Sequence, residues 1–213
     1  MQQECVAIGV GIPEEPGASE EMRLVFREVI KDGITMIAVD TETDKLAAVA
    51  FNKIQIKPRD DEKDDLDAVI ENFKHESCLE LIKFIADVES SVDIFEKYNA
   101  KAAMELFYVG TNPDYQGRGI GSEIVKQSIE FARRLLNGKA TKTPIAGRIT
   151  NKEVLPEIVF GLFASNYSQR IVEKLGFEFI AEHRYENQIS RGKRMSERIG
   201  NVHKMAKLAV LKL

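Results

Sequence analysis

The apolar positions change period several times along the chain, and each change marks an element. Met22, Val25, Phe26, Val29 and Ile30 recur at three- and four-residue steps, the face of a helix that opens near Ser19-Glu20-Glu21 and stops at Asp32-Gly33. Thr35 to Val39 and Leu46 to Ile56 are rich in β-formers and flank the turn-like Thr41-Glu42-Thr43-Asp44, which predicts an antiparallel hairpin. After a solvated stretch at 58–65, two helices are expected, over about 65–76 and 78–98. The second is striped by Leu79, Ile82, Phe84, Ile85, Val88, Val92 and Phe95. Ala102 to Val109 reads as a strand. A helix follows to about Leu136, with Ile124, Val125, Ser128, Ala132, Leu135 and Leu136 inward, and Asn137-Gly138 ends it before a polar loop.

The remainder gives a strand at 157–163, a helix at 167–175 closed by Gly176, a strand around Phe177 to His183, and a final strand within 202–213. The opening, 1–21, has no clear period and ends in an acidic Pro/Gly segment. Residues 186–200 are basic and polar and read as a mobile loop. Without an internal repeat or a linker, the order of elements implies one α+β domain over residues 1–213.

Residues 113–122, P-D-Y-Q-G-R-G-I-G-S, place Gly117, Gly119 and Gly121 directly before a helix. Glycine inside a helix costs about 1 kcal/mol relative to alanine, so the backbone there needs something only glycine allows. A dinucleotide fingerprint requires G-x-G-x-x-G or A, and position 122 is serine; a phosphate-binding P-loop requires a lysine after the last glycine, and none follows Gly121. What remains is a strand, a loop and a helix N-terminus. There, free N–H groups and the positive dipole end suit a pyrophosphate, with Arg118 adding charge. A glycine-rich turn without a ligand is the alternative.

Composition narrows the setting. The net charge of −4 without a long basic run argues against nucleic acid as the main partner. Cys5 and Cys78 stand far apart outside any C-x-x-C pair, which suggests reduced thiols. No apolar run reaches a membrane span and the N-terminus lacks signal-peptide character, so a cytoplasmic protein is expected. No His/Cys/Asp cluster has metal spacing, so no metal is implied.

Gln116-Gly117-Arg118-Gly119-Ile120-Gly121 resembles the Q/R-x-x-G-x-G/A motif of the GNAT family of acetyl-CoA-dependent N-acetyltransferases. The preceding N-P-D-Y and the later E-K-L-G-F (Glu173 to Phe177) are also typical of it, and the resemblance covers about residues 20–213. The P-E-E-P-G opening, the two helices after the hairpin and S-N-Y-S look like the insect-type arylalkylamine N-acetyltransferases.

The resemblance implies a mixed, mostly antiparallel sheet flanked by helices and splayed at the acetyl-CoA site, with the family's first strand and helix missing. It implies that the pantetheine arm pairs with Val109, Gly110 and Thr111 and that the pyrophosphate rests on Gln116, Gly117, Arg118, Gly119, Ile120, Gly121 and Ser122. The reaction it implies is direct attack of a small primary amine, arylalkylamine-like, on the thioester. A base deprotonates the amine, a backbone N–H near Thr111 holds the oxyanion, and a donor protonates the thiolate.

Where many members carry a tyrosine donor, this chain has Val172. Ser168, four residues earlier, is the expected donor, and Ser165 a cofactor contact; helix capping is the alternative for both. Tyr167 points elsewhere by helix phase. Glu4, in Gln3-Glu4-Cys5-Val6, matches a glutamate thought to be the base. Glu105 is a base only if its side chain faces inward, and His183 and His203 qualify by residue type alone. Phe26, Met22, Phe160 and Phe163 are candidate pocket or core residues. A polyamine or protein amine, or CoA binding without catalysis, are the competing functions.

Overall fold

The computed structural model describes residues 3–57, 65–143 and 154–213. Six strands share one mixed sheet: β1 (Met36–Asp40), β2 (Lys45–Ile56), β3 (Ala102–Thr111), β4 (Ile158–Phe163), β5 (Glu178–Arg184) and β8 (Met205–Lys212). Their order is β1-β2-β3-β4-β8-β5, and β6 (Ile189–Ser190) pairs with β7 (Lys193–Arg194) as a separate small ribbon. The helices are α1 (Cys5–Val10), α2 (Ala18–Ile30), α3 (Asp65–Ile70), α4 (Glu76–Glu89), α5 (Ile94–Tyr98), α6 (Ile120–Leu136), α7 (Asn166–Lys174) and α8 (Met195–Ile199). The chain divides into two compact units, one of Val29–Asp60, Ile94–Gly161 and Val210–Leu213, the other of Met1–Glu28, Asp61–Asp93 and Leu162–Ala209.

In the first of these, the expected hairpin is present: β1 and β2 pair antiparallel, Met36 opposite Ala50 and Asp40 opposite Lys45. β2 continues antiparallel along β3, but the register changes between Phe51 and Asn52, so that Phe107 is an extra residue on β3. Such a bulge bends a strand and re-aims the residues beyond it. β3 and β4 run parallel from Ala103 opposite Ile158 to Glu105 opposite Phe160, and their ladder goes no further among the described residues. α6 lies against β1, β2 and β3. Its buried residues are Ile124, Val125, Ser128, Ile129, Ala132 and Leu135. Ile129 thus replaces the expected Leu136, which is only half-buried, because 3.6-residue periodicity rotates the last turn off the stripe. Ala48 and Ala50 on β2 carry small side chains, so Ile124, Ile120 and Val109 pack directly on that strand. Burying an isoleucine contributes about 1.5–3 kcal/mol, so Ile124 and Ile120 fix the start of α6.

Four expectations are corrected, all in the second unit except the start of α5, which belongs to the first. The opening is not aperiodic coil: α1 forms, with Cys5, Val6, Ala7, Gly9 and Val10 buried. The helix expected near 65–76 is α3 alone, and the long helix expected at 78–98 is two. After α4, Ser91 turns its hydroxyl onto the Val88 carbonyl (2.6 Å), and α5 begins at Ile94. Residues 186–200 form β6, β7 and α8, with Ser190 and Met195 buried, rather than a loose loop. Glu21 joins α2 to the lead-in of α4, accepting from the N–H groups of Lys74 (2.7 Å) and His75 (3.0 Å). The expected loops at 58–65 and beyond 143 lie largely outside the described residues. No helix among the described residues is long and apolar enough to cross a membrane.

Candidate functional site

The glycine stretch forms a built loop on the first unit. Asn112 accepts from the Asp114 N–H (3.1 Å) and donates to the Leu46 carbonyl (3.2 Å), so a single 3-10 turn, Pro113–Tyr115, starts from a fixed point. Tyr115 is buried, and its hydroxyl donates to Asp40 Oδ2 at 2.7 Å with Thr43 Oγ1 at 3.2 Å. Tyr115's hydrogen bond, with those of Glu42 and Thr43, holds the Asp40 carboxyl down at about 2, well below its ordinary 3.8. Arg118 stands over the Tyr115 ring, 5.1 Å from its centroid, which aims a cation at the loop.

Gly117 and Gly119 have φ of 76° and 79°, and a Cβ on either meets nothing within 4 Å. Their requirement is therefore conformational, and the space above them is open. Gly119 caps α6 without a side-chain acceptor, and the N–H groups of Gly117 through Ser122 have no hydrogen-bond partner among the described residues. A row of such N–H groups at the positive end of a 17-residue helix suits an anion by its chemistry. Gly121 sits inside the first turn of α6, outside the positive-φ region.

Beside it lies the far end of β3. The Asn112 N–H donates to the Ala47 carbonyl (2.9 Å), so alternation turns the main chain of Asn112 and Gly110 toward β2 and that of Thr111 and Val109 away from it. Thr111 accordingly offers its carbonyl to Gln116 Nε2 at 3.3 Å. Of the three residues expected to pair with an extended ligand, Val109 and Thr111 present their groups outward, and Gly110 does not. Gly110 instead leaves room for the Tyr108 ring, whose Cε1 is 3.0 Å from where a Cβ would sit. Glu105 is buried, not solvated, and accepts from Gln55 Nε2 at 2.6 Å.

The expected catalytic side chains stand on the second unit. Ser165 caps α7: its Oγ accepts from the Ser168 N–H (3.1 Å), and Ser168 Oγ accepts in return from the Ser165 N–H (3.3 Å), a reciprocal box, while the Ser168 hydroxyl donates to the Ser165 carbonyl (3.0 Å). Ser168 shares its helix face with Val172, which is fully buried and has nothing to donate. Tyr167 points outward as expected, its ring edge-on to His203 at 5.3 Å. His203 Nδ1 accepts from the Asn166 N–H (3.2 Å), which leaves the proton on Nε2, and burial holds its pKa below 6.5. His183 lies edge-on to Phe84 at 6.4 Å.

Glu4 is the N-cap of α1. Its two carboxylate oxygens accept from Val6 N–H (2.9 Å) and Ala7 N–H (2.6 Å). Loss of hydration raises its pKa above 4.5, against the lowering by those two bonds. Tyr185 is wholly buried, and its hydroxyl donates to the Ala164 carbonyl (2.7 Å). Burial, then the charges of Glu4 and Cys5, drive its pKa up. Burial pushes both free cysteines, Cys5 and Cys78, up to about 12. Of the suggested pocket residues, Met22, Phe160 and Phe163 are core, and Phe26 is half-buried. No group of three or more His, Cys, Asp or Glu side chains among the described residues could hold a metal.

The fold is that of the GNAT acetyltransferases, a mixed and mostly antiparallel sheet flanked by helices. Residues 90–144, which hold β3, the glycine loop and α6, match the model of the Acetyltransferase (GNAT) family. The GNAT family uses acetyl-CoA. An agmatine N-acetyltransferase superposes with a TM-score of 0.73 at 17% identity, over 99% of this chain and 88% of that one. The polyamine N-acetyltransferase of Drosophila melanogaster gives 0.70 at 16%, over 97% and 87%. Arylalkylamine N-acetyltransferase 2 of Aedes aegypti gives 0.68 at 16%, over 90% and 78%. No curated protein matches the chain by sequence.

Sequence reasoning missed Asp40 and Tyr185. Asp40 reads as a strand end, and only the tyrosine in N-P-D-Y hints at a partner. Tyr185 sits among charged and polar residues, His183-Arg184-Tyr185-Glu186-Asn187, which give no sign that its ring turns inward.

Proposed function

We propose that this chain, as one domain over residues 1–213, is an acetyl-CoA-dependent N-acetyltransferase of a small primary amine, arylalkylamine-like in substrate. The observation that carries it is the row of N–H groups from Gly117 to Ser122, without a partner among the described residues, beside the outward edge of Val109 and Thr111. Gln116 to Ser122 with Arg118 would hold the pyrophosphate, and Val109 and Thr111 the pantetheine amides, as an added strand would. Acetyl-CoA supplies an activated thioester when bound. Glu4 takes the amine's proton, a role suited by a pKa raised toward the working range. Ser168 is the hydroxyl nearest to a donor role, and Ser165 orients it. Two buried free thiols accord with a reducing compartment such as the cytoplasm.

A polyamine or agmatine substrate is the second reading, favoured by the agmatine N-acetyltransferase that overlaps 99% of the chain. Thiol release from acetyl-CoA, measured with dopamine, serotonin, tyramine, histamine, agmatine, spermidine and a lysine peptide, separates the readings. The aromatic amines give the highest kcat/KM if the first holds, and agmatine or spermidine if the second does. Acetyl-CoA binding with no thiol release from any amine leaves a CoA-binding protein and overturns both.

A further inference from the structure

The segment 186–200 reads as a mobile loop in sequence, yet it closes on the helix that Glu4 caps. After Tyr185, Ser190 and Lys193 pair across a two-residue turn, Arg191-Gly192, with φ of 49° and 72°, and α8 comes directly after β7. α8 lies along α1. Gly9 makes the approach possible: a Cβ there would fall 2.6 Å from Met195 Cε and 2.9 Å from Ile199 Cδ1. Met195 is 1% exposed.

Arg198 is the polar half of this clasp. Its side chain is 6% exposed, Nη1 donates to the carbonyls of Gly9 (3.1 Å) and Ser190 (3.0 Å), and Nε donates to Glu14 Oε2 (3.3 Å). Arg191 Nη1 donates to the Gly11 carbonyl (3.3 Å) and faces Glu15 at 3.7 Å. Two guanidinium groups thus satisfy carbonyls at the C-terminal end of α1, where a helix presents partial negative charge. At the other end, the first N–H groups of the same helix hold the Glu4 carboxylate. A helix of six residues does not persist alone in water, so its place is set by what grips it.

We propose that Arg198 is a positioning residue: by gripping Gly9 and Glu14 it fixes α1, and through α1 it fixes the carboxylate of Glu4. The proposal rests on the reading of Glu4 as the base. A displaced base loses geometry that is worth orders of magnitude in rate. It need not affect the cofactor, because the glycine loop belongs to the other unit.

The test compares parent, Arg198→Ala, Arg198→Lys and Glu4→Gln well below their melting temperatures. Readings are kcat and its acid limb, acetyl-CoA affinity by calorimetry, and the Glu4 carboxyl titration by carbon NMR. In Arg198→Ala, kcat is expected to fall roughly 10- to 100-fold with acetyl-CoA affinity unchanged. The Glu4 titration moves toward 4.5 as water reaches the loosened helix. Arg198→Lys keeps the charge but not the planar fork, and recovers part of the rate; it supplies the same readings if Arg198→Ala does not fold. A kcat and a Glu4 titration equal to the parent's in the arginine variants, with only the melting temperature lowered, overturns the proposal. So does a loss of kcat without movement of the Glu4 titration. Retention of the acid limb in Glu4→Gln instead sinks the base assignment itself, whatever Arg198→Ala does.

Discussion

Replacing Gly119 by valine separates backbone geometry from ligand contact. Gly119 has φ 79°, and no atom lies within 4 Å of an added Cβ, so the substitution introduces strain but no clash. A β-branched residue held in that region costs about 1–3 kcal/mol, or about 4–8 °C of melting temperature for 2 kcal/mol in a domain of this size. If the loop relaxes to relieve the strain, stability recovers but the N–H row turns away from the anion. Two charge-assisted hydrogen bonds lost there are worth roughly 3–6 kcal/mol, a loss of acetyl-CoA affinity of roughly 100-fold or more. Gly138 provides the control at the opposite end of α6: its φ is 67° and its added Cβ also meets nothing within 4 Å. Gly138→Val carries comparable strain without touching the loop. Calorimetry with acetyl-CoA is therefore expected to find parent-like affinity in Gly138→Val and little or none in Gly119→Val. Equal affinities in the two folded variants would refute the assignment of the loop to the pyrophosphate.

Further substitutions have distinct expected outcomes. Tyr115→Phe removes the hydroxyl that holds Asp40 near 2, so the NMR titration of Asp40 moves toward 3.8. The stability this bond contributes is present above 3.8 and lost as pH falls through 2, and the mutant lacks that acid-side loss. Ser165→Ala lowers stability by about 1 kcal/mol, seen as a melting shift of about 2–4 °C, through loss of the N-cap. Ser168→Ala lowers kcat more than it weakens acetyl-CoA binding if its hydroxyl serves the leaving group; equal kcat assigns it to the capping box alone. In Glu4→Gln the rate no longer rises with pH above 4.5, where the parent's raised carboxyl ionises. The stability term has the opposite sign: the protonated form's advantage is full below 4.5 and lost as pH rises through the raised value, and the mutant is free of that loss.

The glycine loop was legible in the sequence because its requirement is local. Positive φ at Gly117 and Gly119, a helix starting at Ile120 and no lysine after it are all readable from spacing. The hairpin and α6 were legible through their periods. The arm at 186–200 was not, because its grip is made by arginines. Arg198 is as buried as a core residue while its guanidinium spends its donors on carbonyls, and hydrophobic periodicity gives a charged residue no inward weight. α1 was hidden for the reverse reason: six residues with one acidic cap are too short to show a period. The outward turn of Val109 and Thr111 depends on the bulge at Phe107, which only the pairing with β2 reveals. Glu105 was ambiguous by alternation because the first half of β3 is buried on both faces.

Acetyl transfer itself can be observed with purified protein, acetyl-CoA and a mixture of dopamine, agmatine and spermidine at equal concentration, read by mass spectrometry of the amines and by free thiol in the same tube. The account predicts an N-acetylated amine formed in step with the thiol released, both abolished in Gly119→Val and retained in Gly138→Val. Absence of any acetylated amine from the parent protein, or product formed equally by Gly119→Val, would contradict it.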